Sequence, residues 1–215
     1  MKVNTDGVLL GALANSESIK RILDIGAGTG VIAMMLAQRF PEAMIDAVEI
    51  DKHAAETVGS NFRNSTFADR LNLIEGDFAD INGQSYDLII SNPPFFINSL
   101  TSSKENKTIA RHTDSSFFER LVIFAADNLS NAGICQLILS LATAELVKQL
   151  LLVHYLHLNN IIHIKSFKND IPHREIITFG RARIEFQETE VVIYDAPKVY
   201  TDEYAFLLKD FLTIF

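Results

Sequence analysis

A glycine-rich segment near the amino end of the chain constrains the fold more than any other part of the sequence. Leu23–Gly30 reads Leu-Asp-Ile-Gly-Ala-Gly-Thr-Gly, and the apolar run Val31–Ala37 follows it. A strand, a glycine loop and a helix in this order form the first unit of a Rossmann-like α/β fold. Glycines let the backbone turn tightly and approach a ligand closely, and the helix amino terminus offers free N–H groups to an anion.

The spacing of these glycines discriminates between cofactors. Gly26, Gly28 and Gly30 follow a Gly-x-Gly-x-Gly pattern. A dinucleotide fingerprint needs its third glycine one residue later, where this chain has Val31. We therefore expect a cofactor made of a nucleoside and an amino acid rather than NAD, with its carboxylate near the helix end.

Two further predicted strands lead to acidic residues. Glu49 ends the second strand about twenty residues beyond the glycine loop, where an acidic side chain would bind ribose hydroxyls. Asp51 competes with it for this role. Asp77 follows the third strand and could accept a hydrogen bond from an adenine amino group, with Phe78 beside the ring.

The fourth predicted strand leads into Asn92-Pro93-Pro94-Phe95, which we call the acceptor turn. This turn suits methylation of a planar amide or exocyclic amino nitrogen, whose lone pair is delocalised. The Asn92 side-chain oxygen and the Pro93 carbonyl can both accept hydrogen bonds from such an NH2 group. The prolines stiffen the turn, and Phe95 offers a face for stacking. Asn92, Pro93, Pro94 and Phe95 are therefore the candidate catalytic residues.

Taken in order, these motifs resemble those of class I S-adenosylmethionine-dependent methyltransferases that methylate amino groups. Met1–Ala12, which reads MKVNTDGVLLGA, resembles the segment before the glycine loop in the tRNA1(Val) (adenine(37)-N6)-methyltransferases. Without the family, its Thr5-Asp6-Gly7 stretch reads as a turn and a possible N-cap before an apolar helix. The resemblance covers nearly the whole chain, because it continues through Ala110–His112, Pro172–Arg174 and Tyr200–Tyr204.

The resemblance implies S-adenosylmethionine as the cofactor and tRNA as the substrate, methylated at the N6 of an adenine, adenosine 37 of a valine tRNA. The expected cofactor-binding residues are Thr5, Asp6, Asp24, Gly26, Gly28, Gly30, Glu49, Asp77 and Phe78. The expected substrate-binding residues are Lys104, Lys107, Arg111, His112, His173 and Arg174. The family usually carries an aromatic and basic extension before Lys2, so its absence from this sequence is expected to affect substrate binding more than cofactor binding.

Strands and helices are predicted to alternate through about residue 140 in a single domain, 1–215. Strands are expected near 21–26, 44–50, 71–75, 86–91, 134–140, 158–167 and 175–184, and helices near 30–39, 52–66, 115–129, 142–152 and 201–213. The segment Ile184 to Ile193 could extend the last two strands. This order predicts a mostly parallel sheet with helices on both faces. The resemblance makes it a seven-stranded, Rossmann-like class I methyltransferase sheet that ends in an antiparallel hairpin. The polar segment 98–107 is expected to be a loop near the substrate.

The net charge of −8 is the main observation against a nucleic-acid substrate, because such proteins usually show a basic footprint. The cations are nevertheless unevenly distributed. One group follows the acceptor turn, and a second lies near the late strands: Lys165, Lys168, His173, Arg174, Arg181 and Arg183. The two groups predict a local basic rim, with scattered solvated charges as the alternative.

The remaining composition predicts a cytoplasmic enzyme without a metal and without an obligate protein partner. Cys135 is the single cysteine, which excludes an internal disulfide, and its apolar surroundings predict a core position in a strand. The sequence shows no signal peptide, no membrane-spanning apolar run and no metal-ligand spacing.

Three functions stay open on the sequence. The first is the tRNA adenine N6-methyltransferase, and the second is a protein glutamine N5-methyltransferase, which faces the same lone-pair problem and shares the Asn-Pro-Pro-aromatic turn. The third is a cofactor-binding module that does not catalyse. The resemblance of Met1–Ala12 favours the first, and the intact acceptor turn argues against the third.

Overall fold

The computed structural model describes residues 4–16, 18–93 and 104–213, with the side chains of 104–114 outside the description. This part of the chain contains nine strands: β1 (Arg21–Ile25), β2 (Met44–Glu49), β3 (Leu71–Glu75), β4 (Tyr86–Ser91), β5 (Leu129–Leu139), β6 (His157–Phe167), β7 (Arg174–Gly180), β8 (Gln187–Ala196) and β9 (Val199–Tyr200). Its six α-helices are α1 (Thr5–Leu13), α2 (Val31–Arg39), α3 (Lys52–Asn64), α4 (Lys104–Asn128), α5 (Leu141–Val153) and α6 (Asp202–Leu208).

All nine strands form one sheet in the order β3-β2-β1-β4-β5-β7-β6-β8-β9. Strands β1 to β5 run parallel to one another, and β7 runs antiparallel to both β5 and β6. The strand order reverses at β1, which lies between β2 and β4. In open α/β sheets, a crevice for ligands forms outside the carboxyl ends of the strands at such a reversal.

The Rossmann-like α/β fold is confirmed, whereas the predicted count of seven strands is wrong. β6 and β7 pair as the predicted antiparallel hairpin. This hairpin does not end the sheet, because β8 lies parallel to β6 and β9 pairs with β8. β8 is part of the packed sheet, because the side chains of its residues Val191 and Ile193 are buried in the core.

Two hydrophobic clusters cover opposite faces of the sheet. One joins alternate strand residues such as Ile22 to α1, α2 and α6, and the other joins residues such as Leu23 to α4 and α5. Because successive strand side chains point to opposite faces, both faces of β1 and β4 are buried. This arrangement explains why these strands read as continuous apolar runs.

Two element boundaries differ from the sequence prediction. The helix expected from 115 begins at Lys104, so the end of the predicted loop 98–107 is helical and its earlier part lies outside the described residues. The N-cap of α1 is Asn4 rather than a residue of the Thr5-Asp6-Gly7 stretch, and its Oδ1 accepts a hydrogen bond from the Gly7 N–H at 2.8 Å.

Cys135 is buried in β5, as its apolar neighbours predict. Within the described ranges, no helix is both long enough and apolar enough to cross a membrane. In the same part of the chain, no group of three or more His, Cys, Asp and Glu side chains is placed to hold a metal ion.

Candidate active site

A cavity of about 450 Å³ opens at the carboxyl ends of β1 to β4. Its volume lies in the range of roughly 300–1,000 Å³ that is typical of small-molecule sites. The glycine loop, the ends of β2 and β3, the start of the acceptor turn and α4 contribute to its walls. The cavity therefore lies at the reversal of strand order, where the fold predicts a ligand.

The glycine loop is hydrogen-bonded to β2 and leaves open space on the side of the cavity. The backbone N–H groups of Gly26 and Ala27 both donate to the Val48 carbonyl, at 2.9 and 3.2 Å. Gly26, Gly28 and Gly30 have φ of 75°, 62° and 78°, in the left-handed region that favours glycine. A Cβ at Gly26 would meet no protein atom within 4 Å, whereas one at Gly30 would lie 2.6 Å from the Phe62 ring. Gly26 thus leaves room in the cavity, and Gly30 allows packing behind it.

Glu49 lines the cavity at the end of β2. Its carboxylate accepts hydrogen bonds from the Gly28 N–H at 2.8 Å and from the Asp51 N–H at 2.9 Å. Each carboxylate oxygen keeps further acceptor capacity for a ligand. Asp51, the competing acid, accepts instead from the Ala54 N–H at 2.8 Å and caps α3.

Asp77 and Phe78 line the cavity beyond β3, together with Arg120 from α4. Arg120 donates to Asp77 Oδ2 at 2.6 Å and lies over the Phe78 ring, 5.4 Å from its centroid. Partial burial raises the pKa of Asp77, but hydrogen bonds from Arg120 and the Ala79 N–H outweigh it and bring the pKa below its usual value. Asp77 is therefore a charged acceptor held in place beside an aromatic wall.

Asp24 lies in β1, fully buried, and is not among the residues that line the cavity. Neither of its carboxylate oxygens has a hydrogen-bond partner among the described residues. Burial raises the pKa of Asp24 to about 7, although the nearby Ala33 N–H partly opposes this effect, and the charge of Glu49 adds to it. The structure thus places this predicted cofactor-binding residue behind the glycine loop.

Asn92 and Pro93 line the cavity directly after β4. The preceding residue, Ser91, is buried and donates its hydroxyl to the Ile25 carbonyl at 2.8 Å, which ties the acceptor turn to the glycine loop. Asn92 donates from Nδ2 to Asn4 Oδ1 at 3.3 Å. Its Oδ1 is buried and accepts no hydrogen bond within the described part of the chain. The remaining two residues of the turn, Pro94 and Phe95, lie outside the described residues.

Thr5 and Asp6 lie in the first turn of α1, between Asn4 and Gly7, which line the cavity. Neither Thr5 nor Asp6 lines the cavity itself. Asp6 Oδ2 instead pairs with the guanidinium Nε of Arg174 at 2.9 Å. The structure thus joins a predicted cofactor-binding residue to a predicted substrate-binding residue.

Comparison with known proteins identifies the family. The methyltransferase small domain model matches residues 4–149. A tRNA1(Val) (adenine(37)-N6)-methyltransferase from Pedobacter heparinus is 43% identical over 216 residues, covering 100% of this chain and 92% of that protein. Proteins of the same name from Actinobacillus pleuropneumoniae serotype 5b and Bacteroides thetaiotaomicron are 38% and 36% identical, each covering 98% of this chain and 90% of the relative.

This chain belongs to the tRNA1(Val) (adenine(37)-N6)-methyltransferase family. It is an S-adenosylmethionine-dependent methyltransferase.

Solved structures of methyltransferases share the fold. A predicted O-methyltransferase from Agrobacterium tumefaciens has a TM-score of 0.74 at 18% identity, covering 95% of this chain and 96% of that one. A methyltransferase from Pyrococcus furiosus has a TM-score of 0.59 at 19% identity, covering 82% and 81% of the two chains. At these identities, the likeness concerns the fold alone.

The residues around the methyltransferase's cavity fit S-adenosylmethionine. Glu49, Asp77 and Phe78 line the cavity. There Glu49 would offer an acid to ribose hydroxyls, and Asp77 and Phe78 would offer an acceptor and an aromatic wall to an adenine. A Cβ at Gly76, like one at Gly26, would meet nothing within 4 Å, so both glycines leave room for a ligand. These residues would hold the adenosine part, and the glycine loop with the start of α1 would hold the methionine part.

The predicted basic rim of the methyltransferase is only partly formed by the described residues. Lys104, Lys107, Arg111 and His112 lie in α4, but their side chains are outside the description. Arg181 lies at the opposite end of β7 from Arg174, where it donates to the Ala126 carbonyl. Lys165 pairs with Glu190. Burial, with the nearby charge of Arg174, lowers the pKa of His173 below its usual value.

Two site residues of the methyltransferase, Asn4 and Arg120, were not predicted from the sequence. Asn4 precedes the Thr-Asp-Gly stretch, and the preference of helix N-caps for asparagine was the signal that could have identified it. Arg120 has no comparable local signal, because its place at the cavity depends on how α4 packs beside Phe78.

Proposed function

We propose that this methyltransferase transfers a methyl group from S-adenosylmethionine to the N6 of an adenine in tRNA, at adenosine 37 of a valine tRNA. The observation that carries the proposal is Asn92 Oδ1, an acceptor that is buried at the cavity and has no partner among the described residues. Identities of 36–43% to proteins named for this reaction, over nearly their full length, support the substrate and the position.

Asn92 and Pro93 would perform the central task of holding the amino group. The N6 amino group is a poor nucleophile because its lone pair is delocalised into the ring. Hydrogen bonds from its N–H groups to Asn92 Oδ1 and to the Pro93 carbonyl would fix its orientation and return electron density to the nitrogen. When bound, S-adenosylmethionine supplies a methyl group on a positively charged sulfur. Positioning of this kind can supply most of the acceleration of a transfer between two bound groups.

The target adenine must leave the base stack to reach Asn92, as in other enzymes that act on base atoms. Stacking on Phe95 would hold the extruded ring, with a contribution of about 1–3 kcal/mol by analogy with single-strand binders. The proposed contacts to the tRNA are Lys104, Lys107, Arg111, His112, His173 and Arg174. The proposed tRNA substrate also agrees with the cytoplasmic location expected from the sequence.

Methyl transfer from labelled S-adenosylmethionine to unmodified tRNA, followed by digestion to nucleosides, tests the proposal. We expect labelled N6-methyladenosine, and its loss when adenosine 37 of the valine tRNA is replaced by another base. Asn92→Ala should abolish turnover and leave the affinity for S-adenosylmethionine nearly intact. Asn64→Ala, an exposed asparagine of α3 away from the cavity, is the matched control and should methylate normally.

Two results would contradict the proposal. Normal methylation by Asn92→Ala would remove the acceptor turn from the mechanism. Cofactor binding without any label in tRNA would favour the protein glutamine substrate or the non-catalytic module, and label on a glutamine side chain would separate these two.

A further inference from the structure

Asn4 and Asn92 meet at the wall of the cavity, although they lie 88 positions apart in the sequence. Asn4 Oδ1 accepts from the Gly7 N–H at 2.8 Å and from Asn92 Nδ2 at 3.3 Å. The side-chain oxygen and nitrogen of an asparagine are usually hard to tell apart, and their assignment must come from the hydrogen-bond network. Here the network contains one group whose identity is certain.

That group is the main-chain N–H of Gly7, which can only donate. The Asn4 atom that it contacts must therefore be the oxygen, which can only accept. It follows that Asn92 presents its nitrogen to Asn4, because two amide oxygens would repel each other. Asn92 Oδ1 then points away from Asn4 within the plane of the amide, where it is buried and has no partner among the described residues.

Gly7 also provides the space for this contact. A Cβ at position 7 would lie 3.2 Å from Asn4 Oδ1, which is a tight contact, and 3.5 Å from Asn92 Nδ2, which is ordinary contact, so a larger residue would crowd the Asn4 amide. Asn4, Gly7 and Asn92 all line the same cavity. The amino end of α1 therefore contacts Asn92, the side chain that the proposed reaction needs.

We propose that Asn4 is a positioning residue for methyl transfer, which fixes the orientation of the Asn92 amide by accepting a hydrogen bond from its nitrogen. This inference rests on the proposed function of Asn92. If the amide were turned by half a rotation, its NH2 would face the NH2 of the substrate, and two donors cannot hydrogen-bond to each other. Asn4 thereby keeps the acceptor facing the substrate before the substrate arrives.

Two substitutions separate orientation of Asn92 from capping of α1. Serine and aspartate are both good N-caps, so Asn4→Ser and Asn4→Asp should both preserve α1. Aspartate keeps an acceptor at the length of asparagine, whereas the shorter serine side chain cannot reach Asn92. We expect kcat to fall about tenfold in Asn4→Ser, the scale of one lost hydrogen bond, and to stay within about twofold of wild type in Asn4→Asp. The kcat values are compared at saturating S-adenosylmethionine, because Asn4 lines the cavity and its substitution can also change the affinity for the cofactor. Equal kcat values for the two variants would overturn the proposal, because capping alone would explain them.

A second measurement does not depend on activity. The side-chain NH2 resonances of Asn92, assigned by their loss in Asn92→Ala, should show slow exchange with solvent in the wild type and in Asn4→Asp, and fast exchange in Asn4→Ser. If the wild-type protein does not methylate tRNA, the proposed function fails, but this spectrum still decides the role of Asn4. Slow exchange that only Asn4→Ser abolishes supports the orientation of Asn92 by Asn4, and identical exchange in all three proteins overturns it.

Discussion

Asp6 and Arg174 form an ion pair across 168 positions of sequence, with 2.9 Å between Oδ2 and Nε. The pair joins the first turn of α1 to the start of β7. The side chains are 15% and 26% exposed, so solvent screens the pair less than an ordinary surface salt bridge. Because Asn4 precedes this turn, the pair also helps to keep the amino end of α1 against the acceptor turn.

A double-mutant cycle should detect the ion pair as a coupling in the free energy of unfolding. We expect Asp6→Asn and Arg174→Met each to lower the free energy of unfolding, and the double variant to lose less than the sum by about 1 kcal/mol. Urea unfolding of the four proteins measures the coupling. The more exposed pair of Lys165 and Glu190 provides a control cycle, in which we expect a smaller coupling. Additive effects of Asp6→Asn and Arg174→Met would show that the contact contributes nothing.

Gly26 should tolerate a side chain in the fold but not in the cofactor site. Its φ is 75°, and that of Gly83 is 71°, while a Cβ at either position would meet no atom within 4 Å. Gly26→Ala and Gly83→Ala should therefore both lose roughly 1–2 kcal/mol of stability, from the left-handed backbone alone. Of the two, only Gly26 lines the candidate active-site cavity, so calorimetric titration should show weaker binding of S-adenosylmethionine in Gly26→Ala alone. Equal affinities in the two variants would place the cofactor elsewhere.

The parts of the fold that follow from local patterns were predictable from the sequence. β1 and β4 read as apolar runs because both of their faces are buried, and the Gly-x-Gly-x-Gly pattern predicts the positive φ angles of the glycine loop. The start of α4 was missed because 104–114 reads Lys-Glu-Asn-Lys-Thr-Ile-Ala-Arg-His-Thr-Asp, which is mostly polar and has no helical apolar period. The count of seven strands failed because the segment expected only to extend the hairpin forms a separate strand, β8, which pairs with β6, and because the two-residue β9 is too short to show a pattern.

The candidate site shows the same difference between residues in local motifs and residues placed by long-range contacts. Asn92 and Glu49 were found because each belongs to a short motif at a strand end. Asn4 and Arg120 were missed because their partners, Asn92 and Asp77, lie 88 and 43 positions away. Contacts of this kind depend on how the helices pack on the sheet, which periodicity and turn chemistry do not specify.

Asp24 should make the fold less stable as the pH rises. Burial raises its pKa from 3.8 to about 7, so the folded state binds this proton more tightly than the unfolded state does. The carboxyl group therefore costs increasing stability between about pH 4 and pH 7, and the cost is constant above that range. Asp24→Asn removes the ionisation, so it should be more stable than the wild type at pH 8 by a few kcal/mol, with a smaller gain at pH 5.

Thermal unfolding of Asp24→Asn and wild type between pH 5 and pH 8 measures this trend. Asp127→Asn, which changes an exposed carboxylate of α4, controls for the loss of one negative charge. A difference between Asp24→Asn and wild type that stays constant across this range would mean that Asp24 titrates normally.

Asp77 should contribute to cofactor affinity through its charge. Arg120 and the Ala79 N–H keep this carboxylate ionised, so it can serve as a charged acceptor at the cavity throughout the neutral range. Asp77→Asn keeps one acceptor oxygen but loses the charge and the ion pair with Arg120. A hydrogen bond to a charged group exceeds a neutral one by about 1 kcal/mol, so we expect the Kd for S-adenosylmethionine to rise roughly five- to tenfold. Asp80 ends a short 3-10 helix, Phe78–Asp80, that Asp77 caps, but it does not line the candidate active-site cavity, so Asp80→Asn should bind as the wild type does. Calorimetric titration of the three proteins decides the matter, because equal weakening in both variants would point to a disturbed turn rather than to a lost contact with the adenine.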